Sequence, residues 1–194
     1  MEISKNKKIL EEIMELGISE SDTLEYKEYF FENGKLNALD QKQLTTLLKE
    51  ICAFANTNGG KIVIGIMEDD NHNPANFSDV GVDETTFETW EQSLRNKIAT
   101  TIIPSIYGID LQLISINDEV NCVIIDVPKS ILKPHAFNTG TKDEFYIRNG
   151  NICSPMRYND LRNSFNSLEF KQEKIKRFVE ERLAFILDGV LDES

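Results

Sequence analysis

Apolar residues spaced three and four positions apart predict a series of amphipathic helices along the chain. The segments with this pattern are residues 3–16, 40–55, 84–101, a short stretch at 158–165 and a long C-terminal one from residue 168. Asp40 comes just before the second helical run, where its carboxylate can accept hydrogen bonds from the unpaired N–H groups of a first turn. We therefore expect Asp40 to be the N-cap of that helix and Phe54, near its far end, to be buried against the next strand.

Two segments near these helices have strand patterns. Residues 61–67 form an almost continuous apolar run, which is typical of a central strand covered on both faces. Residues 23–30 alternate between apolar and polar, which predicts a strand with one polar face. The residues expected on that polar face are Glu25, Lys27 and Tyr29.

Further strands complete the predicted sheet. They are expected at residues 108–116 and 121–127, joined as a hairpin, and at 144–148. The polar residues 68–83 predict a surface loop. This order of elements predicts a mixed α/β fold, with one mixed sheet flanked by helices and followed by a long C-terminal amphipathic helix.

The charge balance restricts the partners that the chain can have. Of its 194 residues, 33 are acidic and 21 are basic, which gives a net charge of -12. Because proteins contact nucleic-acid phosphates through Lys and Arg, this balance argues against tight non-specific binding by the chain acting alone. A local basic patch is still compatible with it. Residues 133–162, where cations and aromatic rings are interleaved, are the candidate patch, and an ordinary solvated surface is the alternative.

The cysteine content and the hydropathy of the chain indicate the cellular compartment in which we expect the protein. The chain has three cysteines and no Cys-x-x-Cys pair, so neither a disulfide framework nor a zinc site is expected. No apolar run approaches the roughly 20 residues that a membrane-spanning helix needs. We expect a soluble, cytoplasmic protein with no membrane partner.

Three carboxylates from separate segments form a candidate catalytic and metal site: Glu20, Glu25 and Glu68. Carboxylates gathered near strand ends can hold Mg²⁺ or Mn²⁺, and a metal so held can activate water or stabilise a phosphoryl transition state. The alternative is a solvated acidic face, which is common in a chain with 33 acidic residues.

A glycine-containing block, Ala53-Phe54-Ala55-Asn56-Thr57-Asn58-Gly59-Gly60, lies between the second predicted helix and the apolar strand. Glycines at a helix end can let backbone N–H groups approach a phosphate, or they can simply end the helix. No Gly-Lys-Ser/Thr sequence is present, which excludes a P-loop.

This block, together with Glu20 to Lys27, Pro134-His135 and the Phe145-Tyr-Ile-Arg-Asn-Gly-Asn151 segment, resembles the Schlafen AlbA-like domain family. The resemblance spans about residues 18–166. It implies a domain at 18–166 between an N-terminal helix at 1–17 and a C-terminal helix at 167–194. Bacterial members of the family are often described as DNA-binding or nucleotide-binding modules.

The resemblance also implies an activity. Related animal domains cleave structured RNA with a metal-bound triad of carboxylates, and Glu20 and Glu25 match its first pair. Met67 stands where many members have the third acid, which leaves Glu68 as the candidate and Asp69 as the alternative.

We accordingly expect a nucleic-acid-directed domain, with metal-dependent endoribonuclease activity on structured RNA such as tRNA as the activity to test, and RNA preferred over DNA. The residues expected to contact the nucleic acid are Lys27, Lys133, His135 and Arg148. The alternatives are a non-catalytic DNA-binding or ATP/nucleotide-binding regulatory module and an assembly module of a larger defence complex.

The apolar stripe of the C-terminal segment predicts self-association. It contains large apolar residues from Ile175 to Leu191, more than an isolated surface helix usually exposes. A homodimer would cover the stripe, and folding of the helix back onto its own domain is the alternative.

Overall fold

The computed structural model describes the backbone of residues 2–191 and the side chains of residues 6–166, 173–180 and 182–183. The α-helices are α1 (Glu2–Leu16), α2 (Gln41–Asn56), α3 (Phe87–Thr101) and α4 (Tyr158–Leu191). The strands are β1 (Leu24–Lys27), β2 (Gly60–Ile64), β3 (Ile66–Glu68), β4 (Pro74–Phe77), β5 (Ile102–Ile103), β6 (Asp110–Ser115), β7 (Asn121–Val127), β8 (Ala136–Asn138), β9 (Asp143–Glu144), β10 (Tyr146–Asn149) and β11 (Ile152–Pro155).

A four-stranded mixed sheet forms the centre of the molecule, with the strand order β1-β2-β7-β6. Strand β1 runs parallel to β2, and the other neighbours are antiparallel. The apolar run predicted to be a central strand is β2, and its register places Ile62 opposite Ile125 of β7. The expectation of a mixed α/β fold with a mixed sheet is confirmed. The strand expected at 144–148 does not belong to this sheet, because β10 pairs with β11 in a separate two-stranded sheet.

Helices cover both faces of this sheet. Alternate residues of β2 point to opposite faces, so Ile62 joins a cluster with Phe54 of α2 and Leu94 of α3, whereas Val63 packs with Leu10 of α1. This division explains why β2 is apolar at almost every position: each of its faces is buried under a helix.

The start of α2 has the predicted N-cap. Asp40 Oδ1 accepts a hydrogen bond from the backbone N–H of Gln43 at 2.7 Å, and the backbone N–H of Asp40 donates to Gln43 Oε1 at 3.1 Å. This reciprocal pair is a capping box. At the other end of α2, Phe54 is fully buried, as expected.

The alternation expected at residues 23–30 is wrong in three respects. Strand β1 covers only Leu24–Lys27, and Tyr29, which lies beyond it, is buried although it was placed on the polar face. Glu25 is only 4% exposed and does not lie on a solvated face. The physical reason is that Arg148 of β10 packs against this side of β1 and supplies the charge that a buried carboxylate needs.

Two other elements differ from the predictions. Residues 68–83, expected to be a loop, include β4, which pairs with β3 in a short hairpin. The helices expected at 158–165 and from 168 are one continuous helix, α4. No helix in the described part of the chain is long and apolar enough to cross a membrane.

The described part of the apolar stripe on α4 does not fold back onto the domain. Its side chains are between about half and two thirds exposed: Ile175 (64%), Phe178 (59%), Val179 (47%) and Leu183 (54%). The stripe beyond Leu183 lies outside the described side chains.

Candidate functional site

Arg148, on β10, is the centre of a buried network of charges. Its side chain is completely buried, and Nη1 donates hydrogen bonds to Glu25 Oε2 at 2.5 Å and to Glu50 Oε2 at 2.7 Å. Nη2 donates to the backbone oxygen of Ser21 at 2.7 Å. The guanidinium also stacks over the ring of Phe54, 4.6 Å from its centre, which is the geometry of a cation–π contact.

The network is balanced between two carboxylates and two cations. The second oxygen of Glu25, Oε1, accepts a hydrogen bond from Lys27 Nζ. Burial raises the pKa of Glu50, the charge of Glu25 adds to that effect, and Arg148 opposes it. Burial alone would lower the pKa of Lys27, but the charge and hydrogen bond of Glu25 outweigh it, so that this pKa is raised. Lys27 therefore stays protonated beside Glu25.

The end of α2 holds β10 in place next to this network. Asn56 Nδ2 donates to the backbone oxygens of His135 at 2.9 Å and Tyr146 at 3.0 Å, and Asn56 Oδ1 accepts from the backbone N–H of His135 at 2.6 Å. Thr57 Oγ1 accepts from the backbone N–H of Arg148 at 2.9 Å. The Asn56 side chain thus forms hydrogen bonds with the backbones of two separate segments, as a neighbouring strand would.

The two glycines of the block are required by close packing. Gly59 has a φ of +76°, and a Cβ there would lie 2.7 Å from the backbone oxygen of Val127. A Cβ on Gly60 would collide with the Phe54 ring and lie 2.7 Å from the backbone oxygen of Thr23. The backbone N–H of Gly59 donates to the oxygen of Phe54 at 2.8 Å, which ends the helix. Of the two interpretations, the structure supports a helix end.

The structure brings the predicted acidic residues into one electrostatic environment. Glu20 Oε1 accepts a hydrogen bond from the backbone N–H of Tyr26 at 2.8 Å. Burial raises the pKa of Glu20 to about 7, and the negative charges of Glu25 and Glu68 add to the rise. Glu68 is exposed at the end of β3, with its Oε2 3.9 Å from Nδ1 of His72.

These carboxylates do not fit a metal site in this arrangement. Within the described residues, no three His, Cys, Asp or Glu side chains come together in a group that could hold a metal ion. Both oxygens of Glu25 are already bonded to cations, Lys27 and Arg148. A carboxylate in this state has neither an unshielded charge nor an unused oxygen to offer to Mg²⁺ or Mn²⁺.

The four residues expected to contact nucleic acid have internal partners. Lys27 and Arg148 belong to the buried network, and Lys133 Nζ donates to the backbone oxygens of Asn56 and Thr57, both at 3.3 Å. His135 is fully buried, with Nδ1 2.6 Å from the backbone oxygen of Pro104. Burial lowers the pKa of His135, which keeps the ring neutral.

Glu50 and Asn56 are the residues that the sequence reasoning missed as parts of this site. A signal for Glu50 was available: it lies three residues after Leu47 and four before Phe54, on the buried stripe of α2. A carboxylate at such a position needs a buried cation as partner.

One family profile matches most of the chain. Residues 20–157 match the profile of the family described as Schlafen, AlbA_2. No curated protein matches the chain. Two similar solved structures are the DIP2311 protein from Corynebacterium diphtheriae (crystal structure; 19% identity, TM-score 0.46) and the N-terminal domain of a RecG-related protein from Nitrosomonas europaea (NMR structure; 14% identity, TM-score 0.44).

The extent of the two structural matches differs. The match to the DIP2311 protein covers 70% of this chain but only 22% of that protein. The match to the RecG-related domain covers 61% of this chain and 72% of that domain. This chain therefore spans less than a quarter of the length of the DIP2311 protein.

The raised pKa of Glu20 leads to a pH dependence of stability. The folded protein binds a proton at Glu20 with a pKa of about 7, against 4.5 ordinarily, so it holds more protons than the unfolded chain between these values. The free energy of unfolding should therefore fall as the pH rises through this window. In Glu20→Gln this fall should be smaller, because the titrating group is gone.

Urea unfolding measured at several values between about pH 5 and about pH 8 tests this dependence. Glu28→Gln is the control, because Glu28 is exposed and follows β1 directly, and it should keep the wild-type slope. Identical pH slopes for wild type and Glu20→Gln would contradict the prediction.

Proposed function

The chain belongs to the Schlafen AlbA_2 family, and we propose that it is a nucleic-acid-binding module whose buried carboxylates maintain the fold and do not cleave the nucleic acid. The observation that carries this proposal is the state of Glu25, which is bonded through Oε1 to Lys27 and through Oε2 to Arg148. A metal at Glu25 would have to compete with these two cations for the carboxylate. Breaking a buried ion pair costs roughly 3–5 kcal/mol, because a buried charge is left without its counter-ion.

Family membership supports nucleic acid as the class of ligand. RNA is the preferred partner in this proposal, since the resemblance to RNA-cleaving animal Schlafens implies structured RNA such as tRNA. DNA and nucleotides are the other ligands to compare with it. The net charge of -12 requires that binding use a local surface and not the overall field of the protein.

A metal-dependent endoribonuclease is the second candidate function. The observation in its favour is the raised pKa of Glu20, to which burial contributes most and the charges of Glu25 and Glu68 contribute further. Three carboxylates that repel one another are a common feature of sites that take up a divalent cation. In this second candidate Glu20, Glu25 and Glu68 are the ligands, and Glu25 must first leave Arg148.

We also propose that α4 pairs two copies of the chain. Its described stripe, Ile175 to Leu183, leaves large apolar side chains exposed on a helix of 34 residues. Residues 173–183 carry cations and carboxylates in nearly equal number, whereas the whole chain has a net charge of -12. Two copies can therefore approach through α4 with less repulsion than through the acidic body of the domain.

Incubation of the protein with tRNA and DNA, in Mn²⁺ or in EDTA, separates the two candidate functions. We expect binding of RNA and no cleavage in either condition, and an equal effect of Mn²⁺ on the melting temperatures of wild type and Glu68→Gln. Glu68→Gln is the informative variant because the Glu68 side chain is about a quarter exposed (26%) and lies outside the Arg148 network. Mn²⁺-dependent cleavage that is lost in Glu68→Gln would establish the nuclease instead, and no binding to any nucleic acid would contradict both.

Light scattering at rising protein concentration tests the pairing through α4. We expect a mass approaching twice the 22.2 kDa of one chain, and Phe178→Glu should give a monomer with unchanged circular dichroism, because a charge in the apolar stripe opposes pairing. Tyr158→Glu is the control, because Tyr158 is 76% exposed at the other end of the same helix. A wild-type mass of one chain at the highest concentration would show that α4 does not pair.

A further inference from the structure

A groove lies between residues 34–37, α2 and α3, on the face of the central sheet that α2 and α3 cover. Its volume is about 610 Å³. A smaller hollow of about 220 Å³ shares Lys97 with it and continues along α2 towards Lys49. Together they form one path, the α2–α3 groove, which the buried charge network does not enter.

No Asp or Glu is among the described residues that line either part of this groove. This is unusual on a chain in which 33 of 194 residues are acidic. Its lining is rich in neutral hydrogen-bonding side chains and in lysines. Those that the argument uses are Asn37, Ser93, Asn96, Thr100, Lys35 and Lys97.

The sequence of α3 explains this composition. Trp90, Leu94 and Ile98 are buried in the core, so the residues between them face outwards. From residue 92 to residue 109 the chain contains no acidic residue, whereas the first turns of α3 contain Glu88 and Glu91. The outward-facing residues of α3 beside the groove are therefore mostly polar, and none of those in the C-terminal half of the helix is acidic.

Two lysines from opposite walls supply positive charge. Lys35 precedes Leu36 on one wall, Lys97 lies on α3, and both are exposed. Neither forms an ion pair with a carboxylate of the described residues. Lys49, further along, lies over the ring of Tyr146 at 4.7 Å and is 3.6 Å from Glu144, so part of its charge is already compensated.

We propose that the α2–α3 groove binds the phosphate backbone of a nucleic acid, an inference that rests on the proposed function. Phosphate oxygens are contacted by Lys and by the amide and hydroxyl groups of Asn, Ser and Thr, and a carboxylate in the same surface would repel them. The groove provides these donors on both walls. It offers no aromatic ring for stacking in its larger part, so the recognition is of the backbone and not of the sequence.

The start of α4 is the competing surface. Arg157 and Arg162 are exposed there, on either side of the carboxylate of Asp160. Two cations at one helix end with a carboxylate between them in the sequence hold a phosphate chain less well than a groove with donors on two walls. The groove is therefore the better site.

The test is a fluorescence anisotropy titration of labelled single-stranded RNA, single-stranded DNA and duplex DNA with wild type and with Lys35→Gln/Lys97→Gln. The magnitude of the negative slope of log K against log salt should fall by about 0.7 for each lysine on single strands and by about 0.9 for each lysine on duplex DNA. Lys8→Gln/Lys129→Gln is the control with the same net charge. Both of its positions are exposed, and Lys8 lies on α1, across the sheet from the groove.

The outcomes distinguish the groove from the proposed function. A reduced salt slope in the groove variant, with the control unchanged, supports the inference. If wild type binds but the groove variant binds equally well, or if the control loses as much affinity, the groove is not the site and the proposed function stands. If nucleic-acid binding is lost only in Arg157→Gln/Arg162→Gln, the binding site is at the start of α4 and not in the groove. If wild type binds none of the three probes, both the groove and the proposed function are wrong.

Discussion

A guanidinium without solvent contact is stable only when carboxylates surround it, because removing an isolated charge from water costs several kcal/mol. Arg148 meets this condition by taking one carboxylate from β1 and one from α2. Three elements that are far apart in the chain must therefore meet at one point. The strand β10, the sheet edge and the helix that covers it are held in register by this requirement.

The contacts around Arg148 give the glycine-containing block a structural explanation. Phe54 stacks on the guanidinium, Thr57 accepts from the Arg148 backbone, and Asn56 binds the two segments on either side. Gly59 and Gly60 let the chain turn where any side chain would collide. The glycine-containing block could be interpreted as a phosphate-binding loop, but its side chains join α2 to β10.

Because the charge network around Arg148 is buried, the surfaces that bind partners have to lie elsewhere on the molecule. Arg148, Glu25 and Glu50 are buried, so they act on the fold and a polyanion cannot reach them. The surfaces that remain available are the α2–α3 groove, with its lysines and neutral donors, and the exposed apolar stripe of α4. Nucleic-acid binding and pairing of two chains would then use different parts of the molecule and could be altered independently.

Elements that depend only on residues close together in the chain could be predicted from the sequence. The apolar run of β2 and the Asp40 cap of α2 depend on neighbouring residues, and both were predicted. The burial of Glu25 could not be predicted, because its partner Arg148 is 123 residues away and only the folded sheet brings them together. The β3–β4 hairpin was missed because its strands are only three and four residues long and the residues between them, 69–73, are all polar. The acidic site was predicted from the spacing of the carboxylates and from the family resemblance, and neither shows that Glu25 already has two cations.

A double-mutant cycle with Glu25→Gln, Arg148→Met and the double variant, followed by urea unfolding, tests the central role of this ion pair most directly. Arg148→Met should lower the free energy of unfolding by roughly 3–5 kcal/mol, because two buried carboxylates lose their partner. The double variant should lose less than the sum of the single losses, by about 1–3 kcal/mol of coupling. Additive losses, within about 0.5 kcal/mol, would contradict the account, because Glu25 and Arg148 would then stabilise the fold independently.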